Sequence, residues 1–385
     1  MSRPQITINR HGQDRIEQGH PWVFKSDITH VQNTSTGAIV DITTPKGRFL
    51  GRGYFNPASQ ITVRLLTRRK EEVDRDFFRT RLCKAIARRN PAAPSTRLVF
   101  GEADFLPGLI IDRYGDAIVL QTLTLGMDRL KETWIELIEE QLHPKAIIER
   151  NDVAVREKEG LLLQKGILKG NLPDNLVVNQ NGYSFRVDPL EGQKTGLYLD
   201  QEENHLAANR YARGRVLDLF CYQGGFSIHS ASQADEIIAV DSSESSLKIL
   251  GENLALNQIQ NVHTLGANVF DYLRSCQNQG EPFDMILLDP PPFVSSRKAI
   301  QSATRGYKEI NLRAMKLLKP GGILVTCSCS QNFTQDMFYE MLLSASKDTY
   351  REIQLLEKRG AASDHPVLFS FPESAYLQCW IVRVI

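Results

Sequence analysis

The sequence predicts a doubly wound α/β domain in its C-terminal half, preceded by a small β-rich domain and an α+β region. Three observations carry that fold class. Residues 215–227 (RVLDLFCYQGGFS) read as a buried strand, a glycine turn and the start of a helix near Phe226. Short apolar runs then alternate with helical patterns down to the C-terminus. Residues 1–70 instead carry short apolar strands punctuated by Gly, Pro and Asn.

Length and composition set bounds. The chain has 385 residues, 42% hydrophobic and 24% charged, which suits two or three globular domains. No apolar run reaches the 18 or so residues of a membrane span, and the first residues lack a signal-peptide core. The six cysteines show no disulfide or zinc spacing, so no metal is expected and a cytoplasmic, reduced setting is. A net charge of +1 conceals an asymmetry: residues 1–90 hold 17 Lys+Arg against 8 Asp+Glu, so the remainder is acidic. Aromatic residues (Trp22, Phe24, Phe49, Tyr54, Phe55) interleave with that basic end, a pattern that suits a polyanion such as nucleic acid.

Taken in order, the stretch from Gly37 to Thr67 alternates strands and turns, with Val40, Ile42, Phe49, Leu50 and Tyr54 as core candidates. Arg48, Arg52 and Arg64 are expected on the solvent face. Asp74–Arg89 is an amphipathic helix with Phe77, Phe78, Leu82, Ala85 and Ile86 on one face. Cys83 lies near that stripe. From about 95 to 190, strands surround one helix, Asp128–Leu142, and Ile118–Gly126 reads as a strand. Asn181-Gly182 marks a hairpin. GQKTGLYLDQ (Gly192–Gln201) is a polar, glycine-bounded loop in which Lys194 and Thr195 either face a ligand or cap a surface hairpin.

The α/β part has strands at 216–220, 236–240, 262–266, 283–289 and 322–328, then EIQLLEK and LQCWIVRVI, expected as a closing antiparallel hairpin. Helices are expected at Ser243–Asn257 and Thr304–Leu318. Ligands of such sheets lie outside the carboxyl ends of the strands. Asp241, at the tip of the second strand, can accept both hydroxyls of a ribose, as in NAD and S-adenosylmethionine (SAM) sites. The turn separates the two. NAD needs G-x-G-x-x-G to seat a pyrophosphate. Here Phe220 and Tyr222 crowd the early turn, and Gly224 and Gly225 come late and adjacent. SAM has no phosphate, and its amino-acid end can be held by such a turn. Ser242 follows the ribose acid. Asn268 could accept from an adenine amino group, with Val269 packed on the ring.

The fourth strand ends in Asp289-Pro290-Pro291-Pro292-Phe293, a stiff loop with an acid facing the crevice. Asp-Pro-Pro followed by an aromatic is the pattern of enzymes that methylate exocyclic amines of bases; here Pro292 takes the fourth position and Phe293 comes one later. The fifth strand delivers Cys327 and Cys329, two residues apart and so on one face. Cys329 lies further out. A thiolate there could attack C6 of a pyrimidine and make C5 carbanion-like, ready to take a methyl group. Cys327 reads as packing, as does Cys221 in the turn. His365, beside Asp364, could line the substrate side.

Together GHPWVF (Gly19–Phe24), GQKTGLYLDQ, LDLFCYQGGFS, AVDSS, FDMILLDPPPF, RGYKEIN (Arg305–Asn311), GGILVTCSCS and ASDHP resemble the PUA-containing class I SAM-dependent RNA methyltransferases of bacteria. The resemblance covers nearly the whole chain. It implies a PUA β-barrel at 1–70, a central α+β domain with a β-hairpin at 71–190, and a Rossmann-like seven-stranded class I methyltransferase domain at 191–385. It implies SAM held by Asp218, Tyr222, Gly224, Asp241 and Asp289; Lys194, Phe220, Gly225, Ser242, Asn268, Val269 and Pro290 are further candidate contacts from their places in the sequence. It puts the nucleophile at Cys329, with Asp289 beside it. The substrate implied is ribosomal RNA, 23S in the best-known member and modified at cytosine C5, and a homodimer is possible under this resemblance. Asn268 stands where Asp is common, and Glu202 where Arg is common. Two other readings stay open: amine methylation at Asp289-Pro290-Pro291, and a non-catalytic RNA-binding or assembly factor.

Overall fold

A computed structural model describes residues 3–279, 282–293, 300–330 and 332–385. The chain forms two compact units, neither continuous in sequence. The first takes residues 1–178, 187–197 and 364–374; the second takes 179–186, 198–363 and 375–385.

In the first unit, β1 (Gln5–Ile8), β2 (Trp22–Val23), β3 (Ile28–Gln32), β4 (Ile39–Thr43), β5 (Phe49–Phe55) and β6 (Val63–Thr67) make one sheet, ordered β2-β6-β5-β4-β1-β3. Only β1 and β4 pair in parallel. Helix α1 (Arg10–Glu17) starts on Asn9, whose side chain accepts from the Gly12 amide at 2.9 Å. Ile6, Ile8, Ile16, Val40, Ile42 and Val63 close its core.

The second sheet of this unit contains β7 (Ser95–Phe100), β8 (Leu109–Tyr114), β9 (Ala117–Thr122), β10 (Ala146–Asn151) and β11 (Gln164–Gly170), ordered β11-β10-β9-β8-β7. Helices α2 (Arg75–Ala87), α3 (Leu125–Arg129) and α4 (Lys131–Leu142) belong to the same region. Phe78, Leu82, Trp134 and Ile138 pack with Leu98, Ile111 and Leu120. Tyr54 of β5 joins this second core, and its hydroxyl donates to the Pro107 carbonyl at 2.7 Å. Strands β5 and β6 are therefore covered on both faces. That is why Arg52 and Arg64, expected in solvent, are buried. Arg52 pairs with Asp41 (2.7 Å) and Arg64 with Glu159 (2.7 Å), since a buried guanidinium needs a partner. The strand expected to reach Gly126 stops at Thr122. Gly126 instead lies in α3, where a Cβ would stand 2.2 Å from the Tyr54 ring.

The hairpin of β12 (Val177–Gln180) and β13 (Tyr183–Arg186) turns at Asn181 and Gly182, both with positive φ (55° and 91°), as its Asn-Gly pair predicts.

The second unit has seven strands among the described residues: β14 (Arg215–Leu219), β15 (Glu236–Asp241), β16 (Val262–Gly266), β17 (Phe283–Leu288), β18 (Leu318–Ser328), β19 (Ile353–Arg359) and β20 (Gln378–Val384). Their order is β16-β15-β14-β17-β18-β20-β19. β14–β18 run parallel, and β20 inserts antiparallel between β18 and β19. Helices α5 (Glu202–Asn209), α6 (Gly225–Ser230), α7 (Glu244–Leu256), α8 (Val269–Gln279), α9 (Ile300–Leu317) and α10 (Gln335–Thr349) connect them. Strand order reverses beside β14, between β15 and β17, which puts the ligand crevice at the carboxyl ends of these strands. No described helix is long and apolar enough to cross a membrane.

Candidate active site

Strand β14 supplies Val216, Leu217 and Leu219 to the core and leaves Asp218 buried beside them. The chain then turns through three left-handed residues in five: Phe220 (φ 62°), Tyr222 (φ 49°) and Gly224 (φ 86°). Left-handed backbone at two large aromatics is strained, which a scaffold keeps where geometry is functional. At Gly224 a Cβ would stand 2.2 Å from Leu250 Cδ1. The turn closes as the Gly224 amide donates to the Cys221 carbonyl at 2.8 Å, and α6 begins at Gly225.

Three acids converge here. Asp241 ends β15; its two oxygens accept from the amides of Tyr222 (2.9 Å) and Ser243 (2.8 Å) and so tie the turn to the strand tip. Asp218 accepts from the Ser227 hydroxyl at 2.5 Å. Burial pushes the Asp218 carboxyl up to about 7; the Ser227 bond opposes this, and the charges of Asp289 and Asp241 add to it. Asp289 follows β17 and accepts from Gln201 Nε2 at 2.9 Å. Gln201 is held in turn by Asn204 (2.7 Å), and Asn204 by Arg359 (2.9 Å). Among the described residues no Lys or Arg pairs with Asp218 or Asp241. Such a crevice fits a ligand that brings positive charge, as the sulfonium and ammonium groups of SAM do.

On the other side stands Cys329. It lies one residue beyond β18, half-buried, with its thiol 3.9 Å from the Pro290 carbonyl. Cys327 is different. It is buried inside β18 opposite Cys379 of β20, and burial pushes its thiol well up. Tyr198 sets its ring edge-on to Tyr222 (5.0 Å). Its phenol is raised by burial and by the charges of Tyr222, Asp289 and Cys329.

Residues 305–311 give α9 a buried side chain that sequence reasoning leaves without a role, Tyr307. Its hydroxyl accepts from Ser328 (3.1 Å) and shares a hydrogen bond with Ser330 (3.0 Å), the two neighbours of Cys329. Its ring stacks on Phe333 at 5.0 Å. Gln201 is likewise without an assigned role in the sequence. The only hint was its place in a short polar motif.

The remaining expected residues fall as follows. Gly225 approaches His205, where a Cβ would stand 2.5 Å from the ring. Ser242 is exposed beside Asp241, and Pro290 is buried. The Asn268 amide oxygen accepts from the amides of Phe270 (2.9 Å) and Asp271 (3.3 Å), so it caps α8. Val269 is in the core. Lys194, exposed and left-handed (φ 50°), belongs to the first unit. So does His365, which is buried against Phe100 and bonded to Asp364 at 2.7 Å. The Glu202 carbonyl accepts from Asn181 Nδ2 at 3.3 Å.

Residues 6–68 match the PUA-like domain family, and residues 166–364 match the family of S-adenosylmethionine-dependent methyltransferases. A Shewanella denitrificans protein named ribosomal RNA large subunit methyltransferase I is 41% identical, covering 97% of this chain and 98% of its own. The protein of that name from Shewanella amazonensis is 42% identical, covering 99% of both. A Streptococcus mutans structure described as a SAM-dependent methyltransferase shares the fold at a TM-score of 0.85 and 20% identity, over 98% of this chain and 99% of that one. The turn, the strand-end acids and these matches agree: the chain belongs to the S-adenosylmethionine-dependent methyltransferases, in the group that carries an N-terminal PUA-like domain.

Proposed function

We propose that the protein methylates C5 of a cytosine in large-subunit ribosomal RNA, with Cys329 as nucleophile. The observation that carries this reading is the half-buried Cys329 thiol beside Pro290, at the mouth of the crevice that holds Asp218, Asp241 and Asp289. The rRNA substrate is supported by the names of the relatives and by the basic N-terminal end with its PUA-like domain. The reading keeps the three-part division at 1–70, 71–190 and 191–385, a cytoplasmic setting and a possible homodimer, the last testable by light scattering.

SAM supplies a methyl group activated on a positively charged sulfur. Asp241 accepts from its ribose hydroxyls, and Asp218 and Asp289 offer negative charge to its amino-acid end, with Tyr222, Gly224 and Gly225 lending backbone room. Phe220, Ser242, Asn268, Val269 and Pro290 complete the proposed contacts. With its oxygen capping α8, Asn268 has its amide nitrogen to offer an adenine ring nitrogen, as a donor rather than an acceptor. The target base leaves its stack to enter the crevice. The Cys329 thiolate adds to C6, and the C5=C6 electron pair moves to C5. The C5 electron pair would take the methyl group, whose bond to the donor sulfur breaks and leaves its electron pair on that sulfur; a base then removes the C5 proton. The electron pair re-forms C5=C6, the C6–S bond breaks, and the thiolate is released. Asp289 or a neighbouring carbonyl orients the base edge.

RNA bearing 5-fluorocytidine tests this, because fluorine at C5 blocks the last elimination. With SAM present, a protein–RNA adduct stable on a denaturing gel is expected. It should vanish in Cys329→Ala and persist in Cys327→Ala. No adduct, with methyl transfer to ordinary RNA intact, would overturn the reading in favour of amine methylation at Asp289. RNA binding without turnover on any RNA would favour a non-catalytic factor.

A further inference from the structure

A cleft of about 680 Å³ opens within the first unit, lined by the segment around β6 and after it, by α2, and by the loop that follows β7. That volume lies within the roughly 300–1,000 Å³ of ordinary ligand pockets. Both signs of charge line it, but they are not equally occupied. Glu102 accepts from the Trp22 indole at 2.7 Å and pairs with Arg64. Asp104 is held by Arg89 and Arg88. Glu72 pairs with Arg3, and Asp76 with Arg79. Glu71 accepts from the Thr67 hydroxyl, and Asp74 caps α2.

The cations are in a different state. Among the described residues, Arg68, Arg69 and Lys84 line the cleft with no carboxylate in ion-pair reach, and Arg81, which also has none, donates to the Phe105 carbonyl. Burial lowers Arg81 to about 10, opposed only by the more distant charge of Glu71, and burial alone lowers Arg68. Arg68, Arg69 and Lys84 are exposed, so a phosphate can reach them from solvent.

Aromatic rings accompany these charges. The Arg81 guanidinium lies 4.2 Å over the Phe77 ring and 5.9 Å from that of Phe105, and Arg88 lies 5.8 Å from Phe105. Phe105 is 46% exposed although its backbone is left-handed (φ 61°). That backbone ends the helical turn at residues 101–104, with the Phe105 amide donating to the Glu102 carbonyl at 3.0 Å, and leaves the ring at the cleft. Phe369, 97% exposed, sits between two lining residues, Leu368 and Ser370.

Unpaired cations beside exposed, arginine-backed aromatic faces are what single-stranded nucleic acid requires: charge for phosphates, π-faces for bases. We infer that this cleft binds a single-stranded RNA segment, its phosphates on Arg68, Arg69 and Lys84 and a base stacked on Phe105. It would be a second RNA contact, built from none of the residues assigned to methyl transfer. The inference rests on RNA being the substrate and adds where an unpaired stretch of it is gripped.

The test is fluorescence anisotropy of a labelled ten-nucleotide oligoadenylate, titrated with the full-length protein at several salt concentrations. For the double variant Arg68→Glu/Lys84→Glu, binding at least tenfold weaker is expected, with a salt slope shallower by about 0.7 for each phosphate no longer neutralised. Phe105→Gly separates recognition from structure. It relieves the left-handed strain, so the Tm should hold or rise while binding weakens about tenfold. Wild-type affinity and slope in both variants, no binding of the oligonucleotide by the wild type, or equal binding of a duplex would each overturn the inference. The 5-fluorocytidine adduct reports on the reaction separately. An adduct without these binding changes sinks the cleft alone, and the binding changes without an adduct sink the chemistry alone.

Discussion

Asp218 sits where a carboxylate is expensive, buried inside a parallel strand beside two other acids. Its folded-state value of about 7 is above that of an unfolded chain, near 3.8. The native state therefore binds the extra proton between those values. The contribution of Asp218 to stability is full below pH 4 and is lost as pH rises through 7, on the order of a few kcal/mol. Asp218→Asn keeps a partner for Ser227 and has no charge to bury. Without ligand, the variant should gain stability relative to wild type from pH 5 to pH 8, as read by calorimetry at each pH. A constant difference would refute the ionisation account. The same carboxylate, once ionised, suits a cationic ligand, so the instability and the binding role have one cause.

Tyr307 raises a different question at this scale. Its hydroxyl holds the residues on either side of Cys329 and does not itself reach the thiol by any described hydrogen bond. Tyr307→Phe keeps the ring stack and removes those bonds, at about 1–2 kcal/mol of stability. If it is a positioning residue, kcat and the rate of 5-fluorocytidine adduct formation should fall together while KM for RNA holds. A purely structural role would lower the Tm and leave both rates unchanged.

Elements show where the sequence was legible. The helix expected at Asp74–Arg89 is α2, with Asp74 as its cap, accepting from the Phe77 amide at 2.9 Å. Asp74→Ala should cost about 1 kcal/mol in chemical denaturation. Strand β16 and the Asn181-Gly182 hairpin fall where local pattern put them, because period and turn chemistry are properties of neighbouring residues. Features set by distant chain were hidden. Burial of Arg52 and Arg64 depends on a second core built from residues 98–147 and on Glu159. β18 begins at Leu318 and stops at Ser328, so the alternation that paired Cys327 with Cys329 does not extend to Cys329. In the site, the strand-end acids and glycines were readable from their place after apolar runs. Gln201 and Tyr307 were not, since their partners lie 88 and about 20 positions away. Gly224→Ala would force a left-handed alanine against Leu250, and should both lower the Tm and weaken SAM binding by calorimetric titration.

For the whole molecule, charge and pattern pointed to a basic N-terminal end and an α/β body, and the family matches put a PUA-like domain and a methyltransferase domain in those places. Composition could not reveal that the two compact units are threaded through one another in sequence. Residues 364–374 return to the first unit, where Asp364 accepts from the Arg97 amide at 2.7 Å and its carbonyl accepts from Arg89 at 3.0 Å. That return has a consequence for how the chain is made. Synthesis runs from the N-terminus at about 5–20 residues per second, so residue 374 follows residue 178 by roughly 10–40 s. Throughout that interval the nascent first unit lacks its last strap. It reaches its finished form only after residues 198–363 of the second unit have been made, so the unit whose residues come mostly first is completed after most of the other.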